Sequence, residues 1–119
     1  MGEDYFLDFQ ERKEVIKKLK SINFETLKLN AHYNNKWGNP RHGVSIEKAK
    51  TIFVQFDKIS QIFTRQGVGG KRYSIVYRLS KNKGFYLILL LDENPSQIFD
   101  AYYYGGDVNR RLIKKYMGF

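Results

Sequence analysis

Cysteine is absent from this sequence of 119 residues, and proline occurs only twice. Without cysteine the chain has no disulfides, thiolate zinc sites, iron–sulfur clusters or cysteine nucleophile. The longest apolar run is Phe85–Leu91, and these seven residues are too few to form a membrane-spanning helix. Glu3, Asp4 and Asp8 give the N-terminus the wrong charge for a signal peptide. We therefore expect a soluble, cytoplasmic protein.

Acidic residues are missing from one long stretch of the chain. Residues 58–84 contain seven basic residues and no acid, and the whole chain has 21 Lys and Arg against 12 Asp and Glu, a net charge of +9. One interpretation is an ordinary solvated surface. Solubility alone, however, favours mixed signs, so we favour a functional basic face. Its partner would be polyanionic, either nucleic acid or an acidic protein.

Hydrophobic periodicity predicts two helices in the first half of the chain. The first runs from about Asp8 to Lys20, with Asp8 and Glu11 as an Asp-based capping box. Its apolar face comprises Phe9, Val15, Ile16 and Leu19. The second covers Ile46–Phe56, with Ser45 as its N-cap. Residues Leu27–Tyr33 alternate as a short strand would, and the alternative is a helix that continues from Phe24.

The second half of the chain predicts four strands and a last helix. The strands cover Lys58–Thr64, Lys71–Leu79, Phe85–Leu91 and Gln97–Tyr104, and the helix runs from Val108 to about Met117. We expect a tight hairpin at Lys81–Gly84, in which Asn82 and Gly84 supply the positive φ angles. The aromatic content of 16% is enough to fill a core.

These elements predict a single α+β domain. We expect a twisted four-stranded antiparallel sheet, a meander, with helices packed on one face. Residues 1–24 are predicted to form an N-terminal helical extension, and residues 25–119 the main domain.

Motifs for metals and nucleotides are lacking. His32 and His42 are the only histidines, they lie ten residues apart, and no Asp or Glu stands between them. Gly67–Lys71 is glycine-rich but lies between predicted strands, so it has no following helix to hold a phosphate. We therefore expect no metal and no small-molecule cofactor.

Metal-free RNA cleavage is the chemistry that these residue types suit. RNA carries its own nucleophile, the 2′-OH, and Arg and Lys can stabilise the phosphorane that its attack produces. His, Lys or Tyr can act as acid and base, and aromatic side chains can stack the bases of a single strand. DNA lacks the 2′-OH, so this chemistry selects RNA.

One segment resembles a known family. It is similar to the K-H-G-V-S-F-E-E-A-x-x-V-F signature of BrnT-type toxins, and it reads Pro40-Arg41-His42-Gly43-Val44-Ser45-Ile46-Glu47-Lys48-Ala49-Lys50-Thr51-Ile52-Phe53. These toxins belong to the RelE/ParE-like ribonuclease superfamily, which includes tRNA-cleaving bacteriocin domains. Residues Arg110–Tyr116 also resemble the basic terminal helix of that family.

The resemblance covers residues 27–117 and implies a small basic endoribonuclease toxin that cleaves mRNA or tRNA. Residues 25–119 would then be a RelE-like ribonuclease domain. The resemblance also implies a neutralising partner, which we expect to be an acidic antitoxin or immunity protein.

The predicted site residues fall into two groups. The catalytic candidates are His42, His32, Arg78 and Tyr103, of which a histidine and the tyrosine carry protons. The RNA-binding candidates are Arg41, Lys71, Arg72, Lys81, Lys83, Arg110, Arg111 and Lys114. Arg72 and Arg78 share a strand face roughly 20 Å apart, so they can follow a backbone but cannot both hold one phosphate.

Two other functions are consistent with the same charge pattern. One is a non-catalytic nucleic-acid-binding module, which would bind in a salt-sensitive manner without turnover. The other is a protein-interaction module whose basic face meets an acidic partner. The alternative for each cation taken singly is a solvated position with no partner.

Overall fold

Hydrophobic alternation along the chain produces a mixed β-sheet with helices, as a computed structural model of the protein shows. The structure describes residues 4–29, 44–67 and 70–105. Within these ranges the helices are α1 (Phe9–Ser21) and α2 (Ile46–Phe53), with single 3-10 turns at Phe24–Thr26 and Phe56–Lys58. The strands are β1 (Tyr5–Phe6), β2 (Lys28–Leu29), β3 (Ile59–Gly67), β4 (Gly70–Ser80), β5 (Lys83–Leu90) and β6 (Gln97–Gly105).

The sheet has the order β1-β3-β4-β5-β6-β2 among the described strands. β3 to β6 form an antiparallel meander, which corresponds to the four predicted strands. β1 adds an antiparallel edge beside β3, and β2 adds a parallel edge beside β6. The sheet is therefore mixed and has more strands than predicted. β2 lies within the segment Leu27–Tyr33 that alternation predicted as a strand, and only a 3-10 turn begins at Phe24 in place of the alternative helix. β1 has two residues, too few for alternation to be visible in the sequence.

The α+β prediction is confirmed, and the helices pack on one face of the sheet. This helical face buries Leu19 of α1 and Phe53 of α2 against strand residues that include Ile75, Tyr77 and Phe85. A smaller cluster on the opposite face, which we call the second face, is built from Phe63, Val76 and Tyr86. The predicted alternation of β4 explains this division, because Ile75 and Tyr77 point one way and Val76 the other.

The N-terminal segment shares this core. Leu7 and Leu19 both lie in the large hydrophobic cluster, and β1 pairs with β3 through Tyr5 opposite Thr64. The capping box is present, since Asp8 accepts from the Glu11 N–H at 2.8 Å and Glu11 accepts from the Asp8 N–H at 2.9 Å. Burial and capping together therefore fix where α1 begins and how it lies on the sheet.

Three local predictions need correction. Phe9 is 64% exposed rather than inward; it is the first residue of α1, and the Lys13 ammonium lies 5.6 Å from its ring centre. The helix that begins after the Ser45 cap ends at Phe53, and a 3-10 turn follows it. The turn between β4 and β5 uses no positive φ at Asn82 or Gly84, and among the described residues only Gly70 has one, at 130°.

No helix among the described residues is long and apolar enough to cross a membrane.

The Tyr77→Phe variant tests how the helical face is held together. The Tyr77 O–H is buried and donates to the Phe53 carbonyl at 3.0 Å, at the end of α2. Removing it leaves that carbonyl without this donor, so we expect a loss of ~1–3 kcal/mol in the free energy of unfolding by urea. Tyr5→Phe is the control, because its hydroxyl bonds Glu11 at an exposed position. Equal losses in the two variants would contradict this account.

Candidate functional site

Two arginines lie directly opposite each other on the second face. The register of β3 and β4 pairs Arg65 with Arg72, and alternation places both on the side of Phe63 and Val76. Like charges directly opposite each other in an antiparallel pair destabilise a sheet. A negatively charged group near these two side chains would therefore stabilise the sheet.

Asp4 supplies one negative charge to this pair. Its Oδ1 accepts from Arg65 Nε at 2.7 Å, and its side chain is only 6% exposed. β1 brings Asp4 to the second face, because Tyr5 pairs with Thr64 beside Arg65. The two partners are 61 residues apart in sequence, so neither Asp4 nor Arg65 was among the predicted site residues.

Arg72 has a different environment from Arg65. Its guanidinium carbon lies 4.3 Å from the centre of the Phe99 ring, a cation–π contact across the sheet. Its Nε is buried, and within the described parts of the chain it has no hydrogen-bond partner. Nor does any carboxylate there form an ion pair with it. A cationic donor in this state is suited to an anionic ligand.

A small cavity connects these groups. Its volume is about 150 Å³, and its walls combine Asp4, Arg65, Arg72 and Ser74 with apolar and aromatic side chains, namely Phe63, Tyr86, Ile88, Phe99 and Tyr102. Pockets that enclose a drug-sized ligand have volumes of about 300–1,000 Å³. This cavity therefore fits a phosphate with part of its attached sugar or base, and not a whole nucleotide.

Tyr102 is one of two tyrosines in the cavity wall, and it is the less buried one, since Tyr86 is only 3% exposed. Burial raises the pKa of Tyr102 to about 12, with smaller contributions from Asp100, Tyr104 and Asp4. The phenol thus keeps its proton at neutral pH, so it can donate a proton but cannot act as a base. The tyrosine predicted from the sequence was Tyr103, the neighbour on the opposite face.

The structure separates the predicted catalytic residues that it describes. Arg78 lies on the second face with Arg72, roughly 20 Å further along β4. Tyr103 packs against the large core on the helical face, with its ring 5.3 Å from that of Phe85. Arg78 and Tyr103 therefore do not meet on one face. His42 and His32 lie outside the described residues.

Of the predicted RNA-binding residues, Arg72 alone lines the cavity among those that the structure describes. Lys71 and Lys83 lie on the helical face, with their ammonium groups 5.0 Å and 4.6 Å from the rings of Tyr73 and Tyr103. Lys81 is exposed in the turn between β4 and β5. The others lie outside the described residues, namely Arg41, Arg110, Arg111 and Lys114.

Among the described residues, no three His, Asp or Glu side chains lie close enough together to hold a metal ion.

No family model, curated protein or solved structure matches this chain. The resemblance of residues 40–53 to BrnT-type toxins therefore stays a hypothesis. The α+β fold and the cavity are the observations from which function is argued.

Alkaline pH tests the burial of two tyrosines. Burial raises the pKa of Tyr102 and of Tyr73 to about 12, and the hydrogen bond to Asp92 also contributes for Tyr73. Because these pKa values are raised above 10.0, the stability that each phenol contributes is present below pH 10 and is lost as the pH approaches 12. We expect urea unfolding to show lower stability at about pH 11 than at about pH 9.

The variants Tyr102→Phe and Tyr73→Phe should each lose less stability over that pH interval than the parent protein. A decrease of the same size in all three proteins would show that other groups cause the alkaline effect.

Proposed function

We propose that this protein binds single-stranded RNA at the Arg65–Arg72 cavity and cleaves it without a metal. The observation that carries this proposal is the pair of opposed guanidinium groups in one cavity, of which only Arg65 has a carboxylate partner among the described residues. A phosphodiester is an anion whose oxygens match the planar donors of two guanidinium groups.

Phosphate binding follows from the state of Arg72. A guanidinium presents a fixed, planar set of N–H donors, and each hydrogen bond to a charged partner contributes about 1.5–3 kcal/mol. A phosphate placed between Arg65 and Arg72 would also relieve the repulsion between them. The cavity volume of about 150 Å³ admits this group while the bases stay outside or stack at the rim.

Single-stranded RNA is favoured over a duplex by the aromatic walls. Of the aromatic residues that line the cavity, Phe63 and Tyr86 are buried in the cluster of the second face, whereas Phe99 and Tyr102 are half-buried and can meet a base at the rim. Proteins recognise single-stranded RNA by stacking its unpaired bases on aromatic and arginine side chains, at about 1–3 kcal/mol per base. Bases that are already paired and stacked in a helix do not offer their faces in this way.

Cleavage needs a base, an acid and stabilisation of negative charge, and the cavity contains all three. In the proposed reaction the Asp4 carboxylate takes the proton of the 2′-OH, and that oxygen forms a bond to phosphorus. Arg65 and Arg72 stabilise the charge on the phosphorane. The bond from phosphorus to the 5′-oxygen then breaks as Tyr102 donates its proton to that oxygen. The products carry a 2′,3′-cyclic phosphate and a 5′-OH.

The RelE/ParE/BrnT-like assignment belongs to the same proposal. The resemblance at residues 40–53 and the antiparallel run from β3 to β6 support it. His32 and His42 are retained in it as further proton carriers, and an acidic antitoxin or immunity protein as the partner.

The test is incubation of purified protein with single-stranded RNA in EDTA, followed by analysis of the RNA ends. We expect cleavage that leaves 2′,3′-cyclic phosphates. Arg72→Ala should weaken RNA binding by roughly 10–100-fold, and Tyr102→Phe should lower the cleavage rate by about 10²-fold or more. Lys17→Ala is the matched control, since it removes one positive charge from an exposed position on α1, on the helical side of the sheet.

Equal effects of Arg72→Ala and Lys17→Ala would show that only net charge matters and would contradict the site. Tight, salt-sensitive binding without cleavage would support the proposed RNA binding and contradict the proposed cleavage. Absence of RNA binding at low salt would overturn both, and would favour the protein-interaction module.

A further inference from the structure

Gly67 lies beneath the guanidinium of Arg72. Gly67 pairs with Gly70 where β3 and β4 meet, two residues beyond Arg65 on the same face. A methyl group added at Gly67 would stand 2.9 Å from Arg72 Nε, 3.0 Å from its Cζ and 3.1 Å from Nη2. Three atoms of one planar group at nearly equal distances show that the guanidinium lies over the glycine.

Phe99 contacts the same guanidinium from β6. The Arg72 Cζ lies 4.3 Å from the centre of the Phe99 ring. Arg72 is therefore in contact with the bare backbone of Gly67 at the β3–β4 hairpin and with an aromatic ring on the next strand but one. A long arginine side chain that is free to rotate loses rotamer entropy when a ligand fixes it.

We propose that Gly67 and Phe99 are positioning residues that hold the Arg72 guanidinium in place for the phosphate of a bound RNA. This inference rests on the proposed function. Neither residue needs to touch the phosphate for this role. Gly67 leaves room for the guanidinium, and the Phe99 ring restricts its orientation. Because the fold already orders Arg72, less entropy is lost when the ligand binds.

Gly67→Ala changes this arrangement only by steric contact with Arg72, and not by straining the backbone. Gly67 does not adopt a positive φ, so alanine brings no backbone strain, whereas Gly70 has a φ of 130° and would be strained. The atoms that alanine would meet belong to the far end of a flexible side chain, which can move away. We therefore expect the variant to fold with unchanged thermal stability while Arg72 leaves its position.

A double-mutant cycle tests the proposal. The four proteins are the parent, Gly67→Ala, Arg72→Ala and the combination, and the probe is a fluorescent oligouridine with 2′-O-methyl groups, which cannot cleave itself. We expect Gly67→Ala to weaken binding by about tenfold in the parent and by less than about twofold in the Arg72→Ala background. Circular dichroism establishes that each variant is folded.

Phe99→Leu is the second arm, because it removes the ring without adding volume at the hairpin. We expect it to weaken binding several-fold only where Arg72 is present. If Gly67→Ala fails to fold, the Phe99→Leu variant alone tests whether Arg72 is held in position. Equal losses with and without Arg72, or no loss in the parent, would overturn the positioning role. If Arg72→Ala itself leaves binding unchanged, then the proposed RNA site is what fails.

Discussion

The alternation of β4 decides where the charged and the apolar side chains of the sheet lie. Tyr73, Ile75 and Tyr77 enter the large core on the helical face, whereas Arg72 and Val76 point to the second face. If β4 shifted its register by one residue, Arg72 would point to the helical face, and the aromatic rings of Tyr73 and Tyr77 would leave the core. The register is therefore fixed by the same alternation that builds the core.

Because Arg65 and Arg72 are paired across β3 and β4, the candidate site depends on the register of the sheet. Two guanidinium groups in register on neighbouring strands repel each other, and Asp4 offsets this by pairing with Arg65 in a place where it is only 6% exposed. Asp4 reaches that place because the two-residue strand β1 pairs with β3. The two-residue strand β1 thus positions Asp4, which is the one acid among the described residues that forms an ion pair with either arginine.

Local patterns in the sequence were sufficient to predict what depends on neighbouring residues. The capping box of Asp8 and Glu11, the Ser45 cap and the alternation within β4 all involve positions a few residues apart, and they are present. The edge strand β1 and the Asp4–Arg65 pair were missed because they depend on a strand of two residues and on a contact across 61 residues. Arg72 was a predicted RNA-binding residue and lines the cavity, whereas preferring Tyr102 to Tyr103 requires knowing which face carries the cavity.

The three consecutive tyrosines of β6 show how one strand divides structural and chemical roles. Tyr103 fills the core on the helical face, while Tyr102 and Tyr104 pack against the cluster of the second face. Burial there raises the pKa of Tyr102 to about 12, so the phenol is a weaker acid than usual but keeps its proton at neutral pH and is not present as the phenolate that could accept one. In the proposed reaction the base must therefore be a different group, and Asp4 is the carboxylate that lines the cavity. The acid and the base thus come from opposite edges of the meander, and cleavage requires the whole sheet to be assembled.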